Sequence, residues 1–205
     1  MGTSVWGDYL QRRFAIIGHR APSSGALNLN DLAGSGGRMD VLVRAVNAAL
    51  FISHGIRNDC HITLHLVGGP GAPRRVWFDG SKLRGVHPDE RSISGHIKAI
   101  LKTPVPPSNR FVEASTGIRH SGGGLKQTLL EWMDEGVSCF VLDARGESPT
   151  EIPRDVTVGF VLSDDSPFTD DDLEYLGDLK RISLGHKWLQ GQACIAILHH
   201  LIDQY

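Results

Sequence analysis

Cysteine is scarce in this 205-residue chain: Cys60, Cys139 and Cys194 stand far apart, odd in number and without a C-x-x-C pair. That excludes a disulfide framework and a cysteine-based zinc site, and it suits a reducing compartment. No run of 18 apolar residues occurs, so no segment reads as a membrane-spanning helix. Neither sign of charge dominates, with 21 Lys and Arg against 23 Asp and Glu, so net charge alone does not advertise nucleic acid as a partner. The glycine run Gly122–Gly124 lacks the following Lys-Ser or Lys-Thr that a phosphate loop needs. His54, His61 and His65, and the pair His199-His200, lack acidic or cysteine partners at ligand spacing, so no metal is expected. Internal repeats and low-complexity tracts are absent as well.

What is present describes one turn-rich α/β domain: 40% hydrophobic residues, 21% charged and 24 glycines. Met1 to Gln11 is too polar for the apolar core of a signal peptide, which argues for a cytoplasmic protein. Residues 1–12 read as a native extension or a tag remnant, and 13–205 as the domain. Charge is unevenly placed. Arg12, Arg13, Arg38, Arg44, Arg57, Arg74, Arg75 and Arg119 precede residue 120, while Asp164, Asp165 and Asp170–Asp172 cluster late. This pattern fits a phosphate-contacting face, and equally an ordinary solvated surface.

Phe14–Ile17 reads as a short buried strand. From Met39 to His54 the residues Leu42, Ala45, Val46, Ala49 and Leu50 recur at helical spacing, with Gly55 placed to stop the helix. His61–Val67 alternates polar and apolar, which predicts a strand covered on one face, and Val76–Phe78 half of a small hairpin. Asp89 and Glu90 open a second helix carrying Ile93, Ile97, Ile100 and Leu101. Residues 108–124 read as loop with a short strand, and Leu125, Leu129, Leu130 and Met133 as a third helix closed by Gly136. Three apolar strands then follow in under fifty residues: Cys139–Leu142, Val158–Leu162 and Arg181–Leu184. Each ends in polar or glycine residues, so the three ends could line one pocket or simply be loops.

In their order and spacing these segments resemble the SPOUT class of knotted S-adenosylmethionine-dependent methyltransferases, and within it the TrmY family, which N1-methylates pseudouridine 54 in the tRNA T-loop. The resemblance runs from about Arg13 to Asp203. It is carried by Gly37-Arg-Met-Asp40, Arg44-Ala-Val-Asn47, Ser53-His-Gly-Ile-Arg57, Pro88-Asp-Glu-Arg-Ser92, Phe160-Val-Leu162, and Ile182-Ser-Leu-Gly185 with Leu189 and Cys194-Ile195. It implies a parallel sheet flanked by helices, a C-terminal trefoil knot, a homodimer and S-adenosylmethionine as cofactor. Knots are exceptions to the usual rules of connection, so no pattern of composition could have suggested one.

By motif position the resemblance implies a cofactor site at Leu142, Ser163, Ile182, Ser183, Leu184, Gly185, Leu189 and Cys194; for the apolar members plain core packing is the competing reading. Two departures stand out. Ser163 occupies a position that is usually glycine in archaeal members, and the family's Leu-His-Ala-Asp-His-Cys-Ile appears as Leu189-Gln-Gly-Gln-Ala-Cys-Ile195. Transfer to N1 requires loss of a proton, and Asp40 at a helix start is the candidate base, or merely a helix N-terminal aspartate. Arg38, Arg44 and Arg57 are candidate RNA contacts because guanidinium forks suit phosphates and splayed bases, and Asn47 could read a base edge. Three functions remain open: methylation of pseudouridine in tRNA, the same chemistry on ribosomal RNA, or a non-catalytic knotted RNA-binding or assembly protein.

Overall fold

The computed structural model describes residues 10–149 and 152–204. Residues 1–9 of the expected extension lie outside that range. The sheet begins just before the expected domain start: β1 spans Arg12–Pro22, and the Gln11 carbonyl accepts from Val158 N–H at 3.0 Å.

The remaining elements follow in chain order. They are α1 (Met39–Leu50), β2 (Phe51–Ile52), β3 (Gly55–Ile56), β4 (Cys60–Gly68), β5 (Arg74–Asp79), α2 (Glu90–Leu101), β6 (Val112–Ser115) and β7 (Ile118–Gly122). After these come α3 (Leu125–Asp134), β8 (Ser138–Glu147), β9 (Val158–Ser163), α4 (Asp170–Leu176), β10 (Lys180–Ile182) and α5 (Gly191–Asp203). One eight-stranded sheet takes the order β10-β8-β9-β1-β4-β5-β7-β6. From β10 to β4 the pairings are parallel, and from β4 to β6 antiparallel. The expected parallel sheet is therefore parallel in five strands and extended by a three-stranded antiparallel flank.

Helices cover both faces, which is why the central strands read as continuous apolar runs. On one side Phe14, Ile16, Ile62, Leu64 and Phe160 pack with α1, α2 and α5; on the other Ala15, Ile17, Val141 and Val161 pack under Leu125, Leu129, Trp132 and Leu176. Rings from three adjacent strands stack across the first layer, Phe14 to Phe160 at 5.6 Å and Phe160 to Phe140 at 5.9 Å.

Several expectations need correction. Helix α1 stops at Leu50, because Phe51 turns extended and pairs with Ile56 in the β2-β3 hairpin before Gly55 can act as a cap. Strand β4 is buried on both faces, with His61, Thr63 and His65 forming a polar layer beneath the second set of helices. In α3 the inward face is Leu125, Leu129 and Trp132; Leu130 and Met133 face solvent. The 108–124 segment holds two paired strands, β6 and β7.

The largest correction concerns charge. Arg74 and Arg75 are fully buried in β5 and cannot belong to a phosphate-contacting face. Arg75 donates to Ser121 Oγ, the Gly122 and Ser108 carbonyls, Thr128 Oγ1 and both Glu131 oxygens, with its guanidinium 4.5 Å from the Phe111 ring centre. Arg74 donates to the Ile100 carbonyl and, at 2.6 Å, to the Thr103 carbonyl, adding a donor where the end of α2 presents its carbonyls.

Candidate active site

The three late strands do converge. At the carboxyl ends of β8, β9 and β10 lies a cleft of about 370 Å³, within the size range of small-molecule sites. Its walls include Leu142, Ser163, Ile182, Leu184, Gly185, Leu189 and Cys194, seven of the eight residues expected at the cofactor. Ser183, the eighth, sits behind the wall. Its hydroxyl donates to the Ala144 carbonyl at 3.1 Å and accepts from Gly185 N–H at 3.1 Å, while its own N–H donates to the Glu147 carbonyl at 2.7 Å. Ser183 thus fastens the end of β8 to the turn after β10.

That fastening depends on a close backbone approach. A Cβ at Gly146 would lie 2.6 Å from the Arg181 and Ile182 backbone, so only glycine lets the end of β8 run against β10 there. Asp143 closes the same wall, accepting from Arg181 Nη1 at 3.0 Å. The backbone N–H of Arg145, together with the Arg181 guanidinium, holds the Asp143 carboxyl below the usual carboxylate range despite partial burial.

Asp143, Ala144, Arg145 and Asp164 in this lining belong to the polar strand ends that the sequence offers as pocket walls, whereas Phe168 and Trp188 carry no sequence signal that singled them out. Ser163, the departure from glycine, donates its hydroxyl to the Ser166 carbonyl in its own turn. Its hydroxyl thus serves the β9 turn while the residue keeps its place in the cleft wall.

A second cluster adjoins the cleft through Asp164 and Asp165. Asp164 accepts from the backbone N–H of His19 at 2.9 Å and bonds the His19 ring at 2.9 Å, while the other ring nitrogen meets Asp172 at 2.8 Å. The Asp164 hydrogen bond, opposed by burial and reinforced by Asp172, raises the His19 pKa to about 9. Asp172 is also the reciprocal partner of Thr169 in the capping box that starts α4, so one imidazolium ties β1, the β9 loop and α4 together.

Next to it, Asp165 accepts from Arg20 and from Arg38 Nη1, the latter at 2.6 Å. Arg38 in turn donates to Asp40 from Nε at 3.0 Å, and Arg44, one helical turn on, donates to the other Asp40 oxygen. Backbone shape enforces this meeting. Gly37 and Arg38 both have φ of +62°, and Arg38 is the one non-glycine residue with positive φ among the described residues. A Cβ at Gly37 would lie 2.0 Å from the Arg20 carbonyl oxygen. Such strained positions concentrate at functional sites.

The candidate RNA-contacting residues are therefore only partly gathered. Arg38 and Arg44 share Asp40, and Asn47 continues the same helix face, with its amide donating to the Pro88 carbonyl at 2.7 Å. Arg57 stands apart, bound to Asp203 at 2.6 Å near the end of α5. Asp40 is outside the cleft lining and has both oxygens engaged by guanidinium groups. No cluster of three or more His, Cys, Asp or Glu suited to a metal occurs among the described residues.

Residues 11–205 match the family described as "Putative SAM-dependent RNA methyltransferase". The chain belongs to this family. Among its relatives, the tRNA (pseudouridine(54)-N(1))-methyltransferase of Methanospirillum hungatei is 38% identical, over 93% of this chain and 95% of that one. The proteins of the same name from Methanocorpusculum labreanum and Methanosarcina acetivorans are each 36% identical, over 94% of this chain and 96% and 91% of theirs. The resemblance to the TrmY family drawn from short motifs thus extends over nearly the whole chain. In fold, the family member described here is similar to Archaeoglobus fulgidus Nep1 bound to S-adenosylhomocysteine, with a TM-score of 0.64, 13% identity, and coverage of 95% and 98% of the two chains.

Proposed function

We propose that this protein transfers the methyl group of S-adenosylmethionine to N1 of pseudouridine 54 in tRNA. The observation that carries the proposal is the near-complete span of relatives bearing that activity in their names, together with a cleft whose lining suits the cofactor. Leu142, Leu162, Ile182, Leu184 and Leu189 offer apolar walls to an adenine ring. Bound S-adenosylmethionine supplies a methyl group on a cationic sulfur. This chain has to remove the N1 proton, hold the base in line with the methyl group and exclude water.

The target nucleotide must leave its stack to reach the cleft, and Arg38 and Arg44 are placed to hold its phosphates or its edge. Asp40 fixes both guanidinium groups. As a proton acceptor it would give up one of them when RNA arrives; as an anchor it would keep both. Asn47 extends the same face, and Arg57 has the least claim to an RNA contact because it lies apart from that face, beside the end of α5.

Three further parts belong to the same reading. The C-terminal segment, with Ser183 bonded to the end of β8 and α5 packed on α1, is proposed to be threaded as a trefoil knot. A homodimer is proposed from α5, whose inner face is Ile195 and Leu198 while Ala193, Ile197 and Leu201 form a second, half-buried apolar stripe. The site of action is proposed to be the cytoplasm, where tRNA is found; among the described residues no helix is long and apolar enough to cross a membrane.

The test is calorimetric titration with S-adenosylmethionine, followed by methyl transfer to tRNA containing or lacking pseudouridine at position 54. Binding with transfer only to the pseudouridine-containing tRNA is expected. Binding without transfer would redirect the search to ribosomal RNA, and absence of binding would favour a non-catalytic protein. In the same assay Asp40→Asn should lower turnover by about 10²-fold or more if the carboxylate takes the proton. Wild-type turnover would remove Asp40 from the reaction.

A further inference from the structure

Exposure of the apolar residues around the cleft rises steadily toward its mouth. Ile182 and Leu162 are 1% and 3% exposed, Leu189 is 39% exposed, and Trp188 is 77% exposed, more than any other large hydrophobic residue among those described. The inner residues suffice to wall an apolar ring. Trp188 stands outside them and turns most of its indole to solvent. A lone exposed aromatic is ordinary on a protein surface, but one at the mouth of a cleft offers a face on which something can stack.

Its neighbours say what that is. Lys187 adjoins Trp188 in the loop before α5 and has no ion-pair partner among the described residues. Arg145, near the end of β8, has a side chain 92% exposed, and its one carboxylate contact, to Asp143, is a loose 3.7 Å. Asp143 itself is taken up by Arg181 at 3.0 Å. The cleft mouth thus combines an open indole with two cations from separate segments, on a chain whose overall charge is slightly negative. Bases stack on aromatic rings irrespective of sequence, while Lys and Arg meet the flanking phosphates. A hydrophobic partner surface would instead favour apolar residues around the indole and exclude unpaired cations.

We propose that Trp188 is a stacking platform for a base of the substrate RNA at the mouth of the cofactor cleft, with Lys187 and Arg145 receiving the adjoining phosphates. The proposal rests on the methyltransferase reading above and assigns it a substrate-positioning residue. Trp188 acts on RNA residence rather than on the cofactor.

The experiment compares wild type with Trp188→Ala, Trp188→Phe and the double variant Lys187→Ala/Arg145→Ala. It measures methyl transfer to a T-arm stem-loop RNA carrying pseudouridine, S-adenosylmethionine affinity by calorimetry, and oligomeric state by sedimentation. Trp188→Ala should raise the RNA KM by between about 5-fold and about 150-fold, the range for removing one base-stacking aromatic, with cofactor affinity and sedimentation unchanged. Trp188→Phe should recover most of the loss. The double variant should flatten the salt dependence of RNA binding.

Tryptophan emission supplies a second readout that needs no turnover. Adding the RNA should quench wild-type emission, and Trp188→Phe should abolish that quench. An unchanged KM and an unchanged quench in the variants would overturn the proposal. So would weakened cofactor affinity with normal RNA KM, which would make Trp188 a cofactor lid, or altered sedimentation with normal RNA KM, which would make it an interface between two copies. Failure of wild type to methylate any pseudouridine RNA counts against the proposed function alone, because the quench still reports whether RNA reaches Trp188.

Discussion

In the antiparallel flank of the sheet Arg74 and Arg75 have no exposed surface, whereas Arg20 and Arg38, at the carboxyl end of the parallel part, keep 55% and 30% of their side chains in water. The buried pair bonds mainly to carbonyls and hydroxyls and locks α2, α3 and the 103–108 segment to β5. The open pair bonds to the carboxylates of Asp40 and Asp165 beside the cleft. One residue type therefore serves as internal scaffolding in one region and as a replaceable contact in the other. A guanidinium held by neutral acceptors in the core cannot be released without leaving them unpaired, while one held by a wet carboxylate can exchange it for a phosphate.

The sharpest way to break this comparison is to remove one arginine from each region. Arg75→Ala leaves Glu131, Thr128 and the Gly122 and Ser108 carbonyls without their donor. It should lower the unfolding free energy by about 3 kcal/mol, the lower end for breaking a buried ionic network, because Glu131 is partly exposed. Arg38→Ala should cost less than about 1 kcal/mol by the same measure, since Asp165 keeps access to water and the buried Asp40 retains Arg44. Urea denaturation of the two variants, with methyl transfer measured alongside, tests the contrast. Equal stability losses would mean that the cleft-side cluster is scaffolding too.

A smaller effect sharpens the cleft side itself. The folded-state pKa of His19, about 9, exceeds its ordinary value of 6.5, so the charged ring stabilises the folded state. That contribution is fully present below pH 6.5 and is lost as pH rises through about 9. Partial solvent screening leaves it on the order of 1 kcal/mol. The wild-type melting temperature should fall across that window, and a His19→Gln variant, which cannot titrate there, should lack that component of the fall. Identical profiles would show that the His19 clamp on Asp164 and Asp172 adds nothing to the stability of the folded state.

The same contrast explains what could be read from the sequence. The strand ends that form the cleft were legible because Cys139–Leu142, Val158–Leu162 and Arg181–Leu184 are apolar runs closed by turn residues, and the motifs gave the residues along them. Arg74 and Arg75 misled because burial of arginine depends on acceptors from residues 100–131, which only the folded sheet assembles. The His19 clamp was invisible for a similar reason: it joins the end of β1 to residues 145 and 153 positions later through a parallel register. Helix α4 has too few apolar residues for a periodic signal, yet Thr169-x-x-Asp172 was a readable capping box. The late aspartates that looked like solvated charge are its first turn, together with the partners of His19, Arg20 and Arg38.

The smallest expected effect separates two arginines that the sequence treated alike. Arg44 shares Asp40 with Arg38 beside the cleft, while Arg57 is bound to Asp203, which also takes Arg12 at 2.6 Å. If Arg44 meets a phosphate of single-stranded RNA, Arg44→Ala should reduce the slope of log affinity against log salt by about 0.7, one counterion's worth. Arg57→Ala should leave that slope where it was, because Arg57 lies apart from the Asp40 cluster and its side chain is 20% exposed against 35% for Arg44. Binding isotherms at several salt concentrations decide the matter. A slope lowered equally by both variants would mean that the Asp203 pair opens on RNA binding and that the contact surface reaches from the cleft to the end of α5.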